Sequence, residues 1–326
     1  MTRRLDIANL PEFDNHEAVV YAVDEKVGLR SFIAIHNTNL GPATGGTRYW
    51  NYISEEEALR DALRLSQAMT YKCALSRVPY GGGKGVIIGN SHNPRKRHLF
   101  AAYAQRVNIL NGSFYTGEDV GLTADNLRVL EKESKFVIGR ERIAGNPSPW
   151  AARGVYYAIL AALQAVFGDS EISGRMFSIK GVGKVGSVLC GLLYERGGKV
   201  HVADIAPEKV KSIKRKYPRV EVVKSSEIHK QKVDVYAPCA LGGEFNKKTI
   251  PQLRSQIICG GANNQLASQE DGERLHSWDI LYVPDYLANA GGLINVVAEL
   301  DKRGYSRRRV EKKVRGIRTT AKKIIE

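Results

Sequence analysis

The stretch Gly181-Val182-Gly183-Lys184-Val185-Gly186 decides the fold of the second half of this chain. It directly follows a short apolar run, residues 176–179, and it opens a helical pattern. In a strand–turn–helix unit with this spacing, the first glycine makes the tight turn, the second lets the backbone approach a pyrophosphate, and the third lets helix and strand pack closely. The stretch therefore predicts a dinucleotide-binding loop that contains Gly181, Gly183, Lys184, Val185 and Gly186.

Asp204 lies 18 residues beyond the last glycine of this loop, at the end of the apolar run 199–203. A carboxylate at this place accepts hydrogen bonds from a ribose 2′-hydroxyl and repels a 2′-phosphate. Asp204 thus predicts NAD rather than NADP as the cofactor. An alternative role for this residue is that of a helix N-cap before Pro207.

Six short apolar runs alternate with helical patterns in the second half of the chain. They are residues 176–179, 199–203, 220–223, 233–236, 256–259 and 280–283. Strands that alternate with crossovers are typical of an α/β fold with a doubly wound parallel sheet, the Rossmann arrangement, which helices cover on both faces.

The stretch Gly-Asn-Pro-Ser-Pro at residues 145–149 reads as a hinge, because each proline fixes its own φ and biases the preceding residue away from helix. Ser148 can cap the helix that follows, which ends before Gly168. We expect the second domain to span residues 146–287. The first domain is expected to comprise residues 1–145 together with a returning segment, residues 288–326.

The first half of the chain mixes strand and helix signals. Residues 19–21 and 31–35 are rich in β-branched or aromatic side chains and predict strands. Ser54 and Glu57 form a capping-box pattern that opens a helix, whose apolar side chains recur every three or four residues. This half is therefore α/β as well.

The composition is that of a globular protein. The chain has 326 residues, 43% of them hydrophobic and 25% charged, and at ~150 residues per domain this length predicts two domains. No run approaches the ~18 uninterrupted apolar residues of a membrane span, and the start, residues 1–6, reaches an acid instead of an apolar core. We expect neither a leader nor a membrane partner.

Cysteine and histidine spacing predicts no metal site. The 4 cysteines show no CxxC pattern, and the 7 histidines form no HxxxH or HExxH pair. A disulfide framework is not indicated either, so the expected location is the reducing cytoplasm.

Charge is the one unusual bulk property, with a net value of +15. Residues 302–323 carry eleven basic residues against one acid, so +10 of the total belongs to this stretch. The pattern favours a solvated face of a C-terminal helix, or a face that pairs with an acidic surface of another subunit. Nucleic acid is the less favoured partner, although a basic stripe is also the footprint of phosphate binding.

A glycine-rich stretch, residues 80–85, encloses Lys84. It does not predict a nucleotide-triphosphate loop, because Gly85 stands where the Walker pattern needs a Ser or Thr for Mg²⁺. Lys72 lies twelve residues before Lys84, at the end of the capped helix. Two ammonium groups in one cleft disfavour each other's charged form, which suits one as a carboxylate anchor and the other as a general base. The alternative is that both lysines are solvated.

Eight sequence blocks resemble the Glu/Leu/Phe/Val amino-acid dehydrogenase family, in the family's order. They are GPATGGTR at 41–48, MTYK at 69–72, GGGK at 81–84, EDVG at 118–121, GNPSP at 145–149, APCALG at 237–242, GANNQL at 261–266 and NAGG at 289–292. The resemblance implies an N-terminal α/β substrate and catalytic domain, a Rossmann NAD-binding domain, and a cleft between them. It also implies a homo-oligomer.

The resemblance implies reversible oxidative deamination, in which an L-amino acid, NAD⁺ and water give a 2-oxo acid, ammonium and NADH. Lys72 matches the lysine that holds the substrate carboxylate. Lys84 matches the lysine that activates water and polarises the carbonyl, and Asp119 matches the carboxylate that moves protons to and from the amine. The set fits the chemistry, because a developing alkoxide needs a nearby cation and a leaving amine needs an acid.

Further cofactor contacts are implied by the matching blocks. They comprise Ala237, Cys239 and Ala240, and one of Asn263 and Asn264, which would touch the nicotinamide ribose. Ala151 stands where many relatives have a Thr whose hydroxyl can hold the nicotinamide carboxamide.

The resemblance also indicates which kind of substrate side chain the protein would bind. Glutamate enzymes hold the distal carboxylate with a Lys in the first block and a Ser after the last, and this chain has Thr44 and Val296 there. The expected substrate-binding residues besides Lys72 are Thr44, Gly45, Met69, Leu293 and Val296. They predict an apolar substrate, leucine or another branched-chain amino acid.

Two alternatives stay open at this point. Thr44 is smaller than the Leu of leucine-preferring relatives, so a deeper pocket could admit phenylalanine or tryptophan. The alternative of a different class is an inactive homologue that serves as a binding protein, against which the presence of Lys72, Lys84 and Asp119 argues.

Overall fold

The structure is a computed structural model that describes residues 6–90 and 93–326. The expectation about the start of the chain rests mainly on residues 1–5, which lie outside the described residues. The chain divides into two compact units. The first runs to Gly145 and includes Glu299–Gly304, and the second comprises Asn146–Ala298 and Tyr305–Glu326.

The first unit is built on a mixed sheet. Its strands are β1 (Ala18–Asp24), β2 (Leu29–Asn37), β3 (Ala43–Thr44), β4 (Thr47–Trp50), β5 (Gly81–Ile88) and β6 (Phe114–Tyr115). Their order is β1-β2-β5-β3-β6, and β4 also pairs with β5. β2 is antiparallel to β1 and to β5, whereas β3 and β4 run parallel to β5. The strands predicted at residues 19–21 and 31–35 are confirmed.

The helices described in the first unit are α1 (Glu55–Leu75), α2 (Lys96–Ile109), α3 (Ala124–Glu133) and α4 (Glu141–Ala144). The predicted start of α1 is confirmed, because the Ser54 side chain accepts a hydrogen bond from the N–H of Glu57. The return bond of the capping box is shifted by one residue: the Glu57 carboxylate accepts from the N–H of Ile53. Buried side chains along α1 pack on the sheet at Phe32 and Val86, which holds the helix against β5.

The second unit contains a parallel sheet. Its strands are β7 (Met176–Lys180), β8 (Lys199–Ala203), β9 (Glu221–Val222), β10 (Val233–Pro238), β11 (Ser255–Ile258) and β12 (Leu281–Tyr282). Each predicted apolar run overlaps one of these strands. The order β12-β11-β10-β7-β8-β9 reverses between β7 and β10, which is the doubly wound arrangement with its switch point at that pair of strands.

The helices of the second unit are α5 (Ser148–Phe167), α6 (Gly186–Tyr194), α7 (Pro207–Lys216), α8 (Gln269–Ser277), α9 (Asp285–Ala288), α10 (Gly291–Val297), α11 (Arg307–Arg315) and α12 (Ile317–Ile325). α5 ends as predicted at Gly168, which adopts a left-handed conformation with φ 78°. Its predicted cap is wrong, because Ser148 lies inside the helix and Pro147 occupies the N-cap position. The N–H of Ser148 is instead satisfied by the side-chain oxygen of Asn146.

Of the helices in the described part of the chain, α5 is the one that is long and apolar enough to cross a membrane. More than half of its most apolar window is buried, and α10, α11 and α12 pack against it. This is the packing of a core helix, which passes the same length and composition test as a membrane span.

The C-terminal segment lies in a different unit from the one expected. Residues 288–326 were expected to return to the first unit, but the structure places residues 288–298 and 305–326 with the second and returns only residues 299–304. The reason is an apolar stripe of Val310, Val314 and Ile317, which is buried where α11 and α12 pack on α5. Nine of the eleven basic residues at 302–323 lie in these two helices, and of the eleven only Arg309 is half-buried while the others are exposed.

Candidate active site

An ion pair in the first unit joins the buried Lys84 to Asp119, whose side chain is 18% exposed. Lys84 is part of β5 and is only 6% exposed, and Asp119 follows β6. The Lys84 Nζ atom is 2.5 Å from Asp119 Oδ2. The structure therefore brings together the two residues predicted to be catalytic.

The glycines around Lys84 are required by close packing. A Cβ atom at Gly82 would lie 2.1 Å from the backbone nitrogen of Thr70 in α1, and one at Gly85 would lie 2.0 Å from the hydroxyl of Tyr103. Only a strand without side chains at these positions lets α1 and α2 approach so closely. Lys84 thus carries the one side chain within residues 81–85.

The loop that contains Asp119 lies alongside β4 and is held there by backbone hydrogen bonds. The N–H of Thr47 donates to the carbonyl of Gly117, and the N–H of Tyr49 donates to that of Val120. Gly46 completes the fit, since a Cβ atom there would lie 2.9 Å from the Cβ of Asp119. The carboxylate is therefore placed by the main chain rather than by a flexible loop.

Electrostatics keep Asp119 ionised. Burial alone would raise the pKa of this carboxyl, but the positive charges of Lys84 and Arg48 outweigh that effect and lower the pKa below its ordinary value. Because the pKa is lowered on folding, the contribution of Asp119 to stability is present at neutral pH and is lost as the pH falls through the lowered value.

Arg48 and Asp61 belong to the same charge network, and the sequence analysis did not assign them a role. Arg48 Nε is 3.4 Å from Asp119 Oδ2, and an Arg48 terminal nitrogen is 2.7 Å from Asp61 Oδ2. Arg48 closes the block at residues 41–48, which was a signal for its presence at the site. Asp61 lies in α1 and Arg48 lies in β4. No spacing rule in the sequence links residues of these two elements, so the contact could not be predicted.

The predicted substrate residues of the first unit gather around β3, β5 and the second half of α1. Thr44 is fully buried, faces Gly82 in the strand register, and its hydroxyl has no hydrogen-bond partner among the described residues. A Cβ atom at Gly45 would lie 3.3 Å from Met69 Cγ. Lys72 lies in the last turn of α1, one turn beyond Met69.

The remaining two substrate residues belong to the second unit. Leu293 and Val296 are half-buried and lie three residues apart on α10, so they share one face of that helix.

The glycine loop of the second unit has the geometry that its sequence predicts. Gly181 has φ +93°, and a Cβ atom there would lie 2.9 Å from Ala240 and from the backbone of Cys239. A Cβ atom at Gly186 would lie 1.9 Å from the carbonyl oxygen of Gly181, so the start of α6 packs directly on the turn. At Gly183 a Cβ atom would meet nothing within 4 Å, which leaves space beside the backbone for a pyrophosphate.

The other predicted cofactor residues surround this loop. Ala237 pairs with Ile179 across β10 and β7, and the N–H of Cys239 donates to the carbonyl of Lys180, at the switch point of the sheet. Burial raises the pKa of the Cys239 thiol to about 11, so it is neutral at physiological pH. Lys184 is exposed and Val185 half-buried at the N-terminus of α6.

Asp204 follows β8 and holds the glycine loop. One carboxylate oxygen accepts a hydrogen bond from the N–H of Val182, and the other accepts from the N–H of Ala206, both at 2.9 Å. Ala206, not Asp204, is the N-cap of α7, so the alternative role of Asp204 as that N-cap is wrong. A carboxylate has about four lone-pair positions, so Asp204 can still accept hydrogen bonds from a ribose.

The turn after β11 contains the two asparagines between which the sequence analysis left the choice open. The side-chain nitrogen of Asn289 donates to Asn263 Oδ1 at 2.6 Å. Asn264 adopts a left-handed conformation, with φ 52°, and its N–H donates to a carboxylate oxygen of Asp285. Both asparagines are therefore held by the segment that leads into α10.

Two models of one protein family match this chain. A family model described as Glu/Leu/Phe/Val dehydrogenase, dimerisation domain, matches residues 16–140. A second, described as Glutamate/Leucine/Phenylalanine/Valine dehydrogenase, matches residues 201–325. The two matches cover most of the chain.

Individual relatives match over nearly the whole chain. A leucine dehydrogenase of Bacillus cereus is 43% identical over 325 residues, which cover 99% of this chain and 88% of that protein. A phenylalanine dehydrogenase of Lysinibacillus sphaericus is 44% identical over 293 residues, covering 88% and 77%. The crystal structure of L-tryptophan dehydrogenase from Nostoc punctiforme matches with a TM-score of 0.85 at 42% identity, covering 95% of this chain and 89% of that chain.

A pair of glycine substitutions tests the dinucleotide loop. Gly183→Ala is expected to leave the melting temperature near the wild-type value, because the new methyl group meets no protein atom, and to weaken NAD binding about tenfold or more by occupying the space beside the loop. Gly186→Ala is the matched control, and it should lower the melting temperature because its methyl group clashes with the Gly181 carbonyl. Wild-type NAD affinity in Gly183→Ala, measured by calorimetry, would show that the dinucleotide does not bind there.

Proposed function

The chain belongs to the Glu/Leu/Phe/Val dehydrogenase family, and we propose that it catalyses the NAD-dependent, reversible oxidative deamination of an apolar L-amino acid. The products are the 2-oxo acid, ammonium and NADH. The observation that carries the proposal is the ion pair between the buried Lys84 of the glycine-rich strand and the largely buried Asp119, because it supplies both a cation and a proton acceptor at one point.

Each residue has a role that its chemistry allows. Lys72 binds the substrate carboxylate as a cation at the end of α1. Asp119, held ionised, accepts a proton from the substrate ammonium and later returns one to the departing amine. Lys84 stabilises the negative charge that develops on oxygen when water adds at the α-carbon.

The dinucleotide supplies one kind of chemistry when it is bound, which is acceptance of the hydride from the substrate α-carbon. The residues of the second unit fit it, because the loop at Gly181, Gly183 and Gly186 leaves backbone space for a pyrophosphate and Asp204 lies at the end of β8. The same carboxylate would repel the 2′-phosphate of NADP, which supports NAD as the cofactor.

The substrate class is inferred from the predicted substrate residues of each unit, taken separately. In the first unit Thr44 is uncharged and fully buried, and in the second Leu293 and Val296 are apolar. Neither set offers a cation to a distal carboxylate, and burying one unpaired costs several kcal/mol. These residues support leucine or another branched-chain amino acid as the substrate.

An aromatic amino acid is the second candidate for the substrate. The Thr44 side chain is small, and its hydroxyl, which has no hydrogen-bond partner among the described residues, could accept from the indole N–H of tryptophan. The similarity to phenylalanine and tryptophan dehydrogenases supports this alternative, although leucine dehydrogenases are more numerous among the relatives.

The proposal also covers the oligomeric state, the location and the partners of the enzyme. The match of residues 16–140 to a dimerisation domain supports a homo-oligomer as the working form. The four cysteines carry free thiols, which suits a cytoplasmic location. Neither nucleic acid nor a membrane is part of the proposed reaction.

Substitution of the proposed catalytic lysine gives the first functional prediction. Lys84→Ala is expected to lower kcat by ~10²–10³-fold, the usual loss when a group that stabilises the developing charge on oxygen is removed. NAD binding should stay near normal, because Lys84 belongs to the first unit and the glycine loop to the second. Lys132→Ala, at another lysine of the first unit, is the control and should behave as wild type. A Lys84→Ala enzyme that keeps more than roughly a tenth of wild-type kcat would remove this lysine from the mechanism.

Cofactor choice gives a second prediction. Asp204→Asn keeps an oxygen that can accept from the N–H of Val182 but removes the charge that repels a phosphate. The ratio of kcat/KM for NAD to that for NADP should therefore fall in the variant. A wild-type enzyme that already used NADP as well as NAD would show that Asp204 does not select the cofactor.

The substrate assignment is tested by measuring NADH production with a panel of L-amino acids. Leucine, isoleucine and valine should all react, because one methylene discriminates by only ~1–3 kcal/mol. Aliphatic or aromatic substrates should have kcat/KM values at least ~100-fold above that of L-glutamate. Comparable values for glutamate and leucine would contradict the apolar pocket, whereas a strong preference for tryptophan would select the second candidate substrate.

A further inference from the structure

Arg48 bridges two carboxylates in the first unit. Its Nε atom approaches Asp119 Oδ2 at 3.4 Å, and a terminal nitrogen approaches Asp61 Oδ2 at 2.7 Å. The three side chains are 20%, 18% and 11% exposed, respectively, so water screens the charges only weakly. Asp119 therefore faces two cations, Lys84 from β5 and Arg48 from β4.

The position of Arg48 is set by the backbone. β4 pairs in parallel with β5, with Arg48 opposite Val86, two residues beyond Lys84. The Asp119 loop pairs with the other side of β4, where Thr47 forms a bridge with Glu118. Arg48 is thus fixed between the strand that carries Lys84 and the loop that carries Asp119.

Asp61 holds the guanidinium from the opposite side. It is anchored in α1, where the hydroxyl of Tyr52 donates to Oδ2 at 2.6 Å and Arg64 donates to Oδ1 at 2.8 Å. Burial would raise the pKa of Asp61, but these two hydrogen bonds and the charge of Arg48 together lower it. Asp61 is therefore a fixed negative charge that limits how closely Arg48 can approach Asp119.

Lys84 alone could not both interact with the substrate oxygen and keep Asp119 ionised. In this arrangement Arg48 performs the second task. During the reaction Lys84 must interact with the substrate oxygen, and its contact with Asp119 must then weaken. A carboxylate left without a cation in a buried site would take up a proton and lose its capacity to act as a base. Arg48 stays beside Asp119 whatever Lys84 does, because Asp61 and the sheet hold it in place.

We propose that Arg48, oriented by Asp61, is a positioning residue that keeps Asp119 aimed for proton transfer and keeps it ionised whenever it has to accept a proton. The proposal rests on the proposed function and adds residues to it to which the sequence analysis gave no role. A planar guanidinium can contact both carboxylates at once, whereas a lysine ammonium in the same place cannot span them equally well.

The test compares three variants of the full-length enzyme by the pH profile of kcat/KM. Arg48→Gln should lower kcat at least tenfold, change the KM for the amino acid less than threefold, and move the acid limb of the profile upward by about one pH unit, because one of the two cations beside Asp119 is lost. In Arg48→Lys the acid limb should lie close to its wild-type position, since the positive charge is kept, but kcat should stay below the wild-type value. Asp61→Asn should move the limb the other way, because Arg48 is then free to pair fully with Asp119.

Arg60→Gln is the matched control. Arg60 lies next to Asp61 in α1, but its ion pair is with Glu12. Its profile should match that of the wild type. A purely structural role of Arg48 would lower the amount of folded enzyme in all its variants but would leave the acid limb in place, and that result would overturn the proposal.

Two further outcomes are informative. If Arg48→Gln fails to fold, the other two variants still decide the question: the acid limb of Arg48→Lys should stay close to that of the wild type, that of Asp61→Asn should lie at lower pH, and identical profiles for these two variants would contradict the proposal. If the wild type oxidises no amino acid, the proposed function fails instead. The effect of Arg48 is then read from the titration of the Asp119 carboxyl by infrared difference spectroscopy against Asp119→Asn, where an unshifted band in the Arg48 variants would refute it.

Discussion

The contact on which the rest of the first unit depends is the buried ion pair between Lys84 and Asp119. Two charges removed from water are tolerated only when each is compensated, and breaking such a pair by removing one partner is strongly destabilising. The surrounding structure supplies this compensation in alternating signs, with Arg48 beside Asp119 and Asp61 beside Arg48. A site built in this way is rigid and highly charged before any ligand arrives, which is the preorganisation that acid–base catalysis requires.

Glycine is the second constraint, and it acts in both units for related reasons. Around Lys84, the absence of side chains lets two helices approach one strand closely enough to enclose its single lysine. In the dinucleotide loop, Gly181 and Gly186 are required by contact with the protein itself, whereas Gly183 faces open space. The same residue type therefore distinguishes positions that build the fold from a position that is left for a ligand.

The sequence predicted those features that depend on local pattern. The six strands of the parallel sheet and the capped start of α1 follow from periodicity and short spacings, and the structure confirms them. Assignment of residues 288–326 to the first unit was wrong, because the apolar stripe at Val310 and Val314 shows that a helix is amphipathic but not which helix it packs on. Asp61 was missed for the same reason, since its contact with Arg48 arises from strand pairing and helix docking, which no spacing in the sequence records.

The most direct test of this account is a crystal structure of the enzyme with NAD⁺ and a branched-chain 2-oxo acid, a pair that cannot react with each other. We expect the substrate carboxylate within hydrogen-bond distance of Lys72 Nζ, and the 2-oxo oxygen within the same distance of Lys84 Nζ. Asp119 should then lie beside the α-carbon and still contact Arg48. A 2-oxo acid bound with its reactive carbon away from Lys84 and Asp119 would contradict the assignment of this ion pair as the catalytic centre.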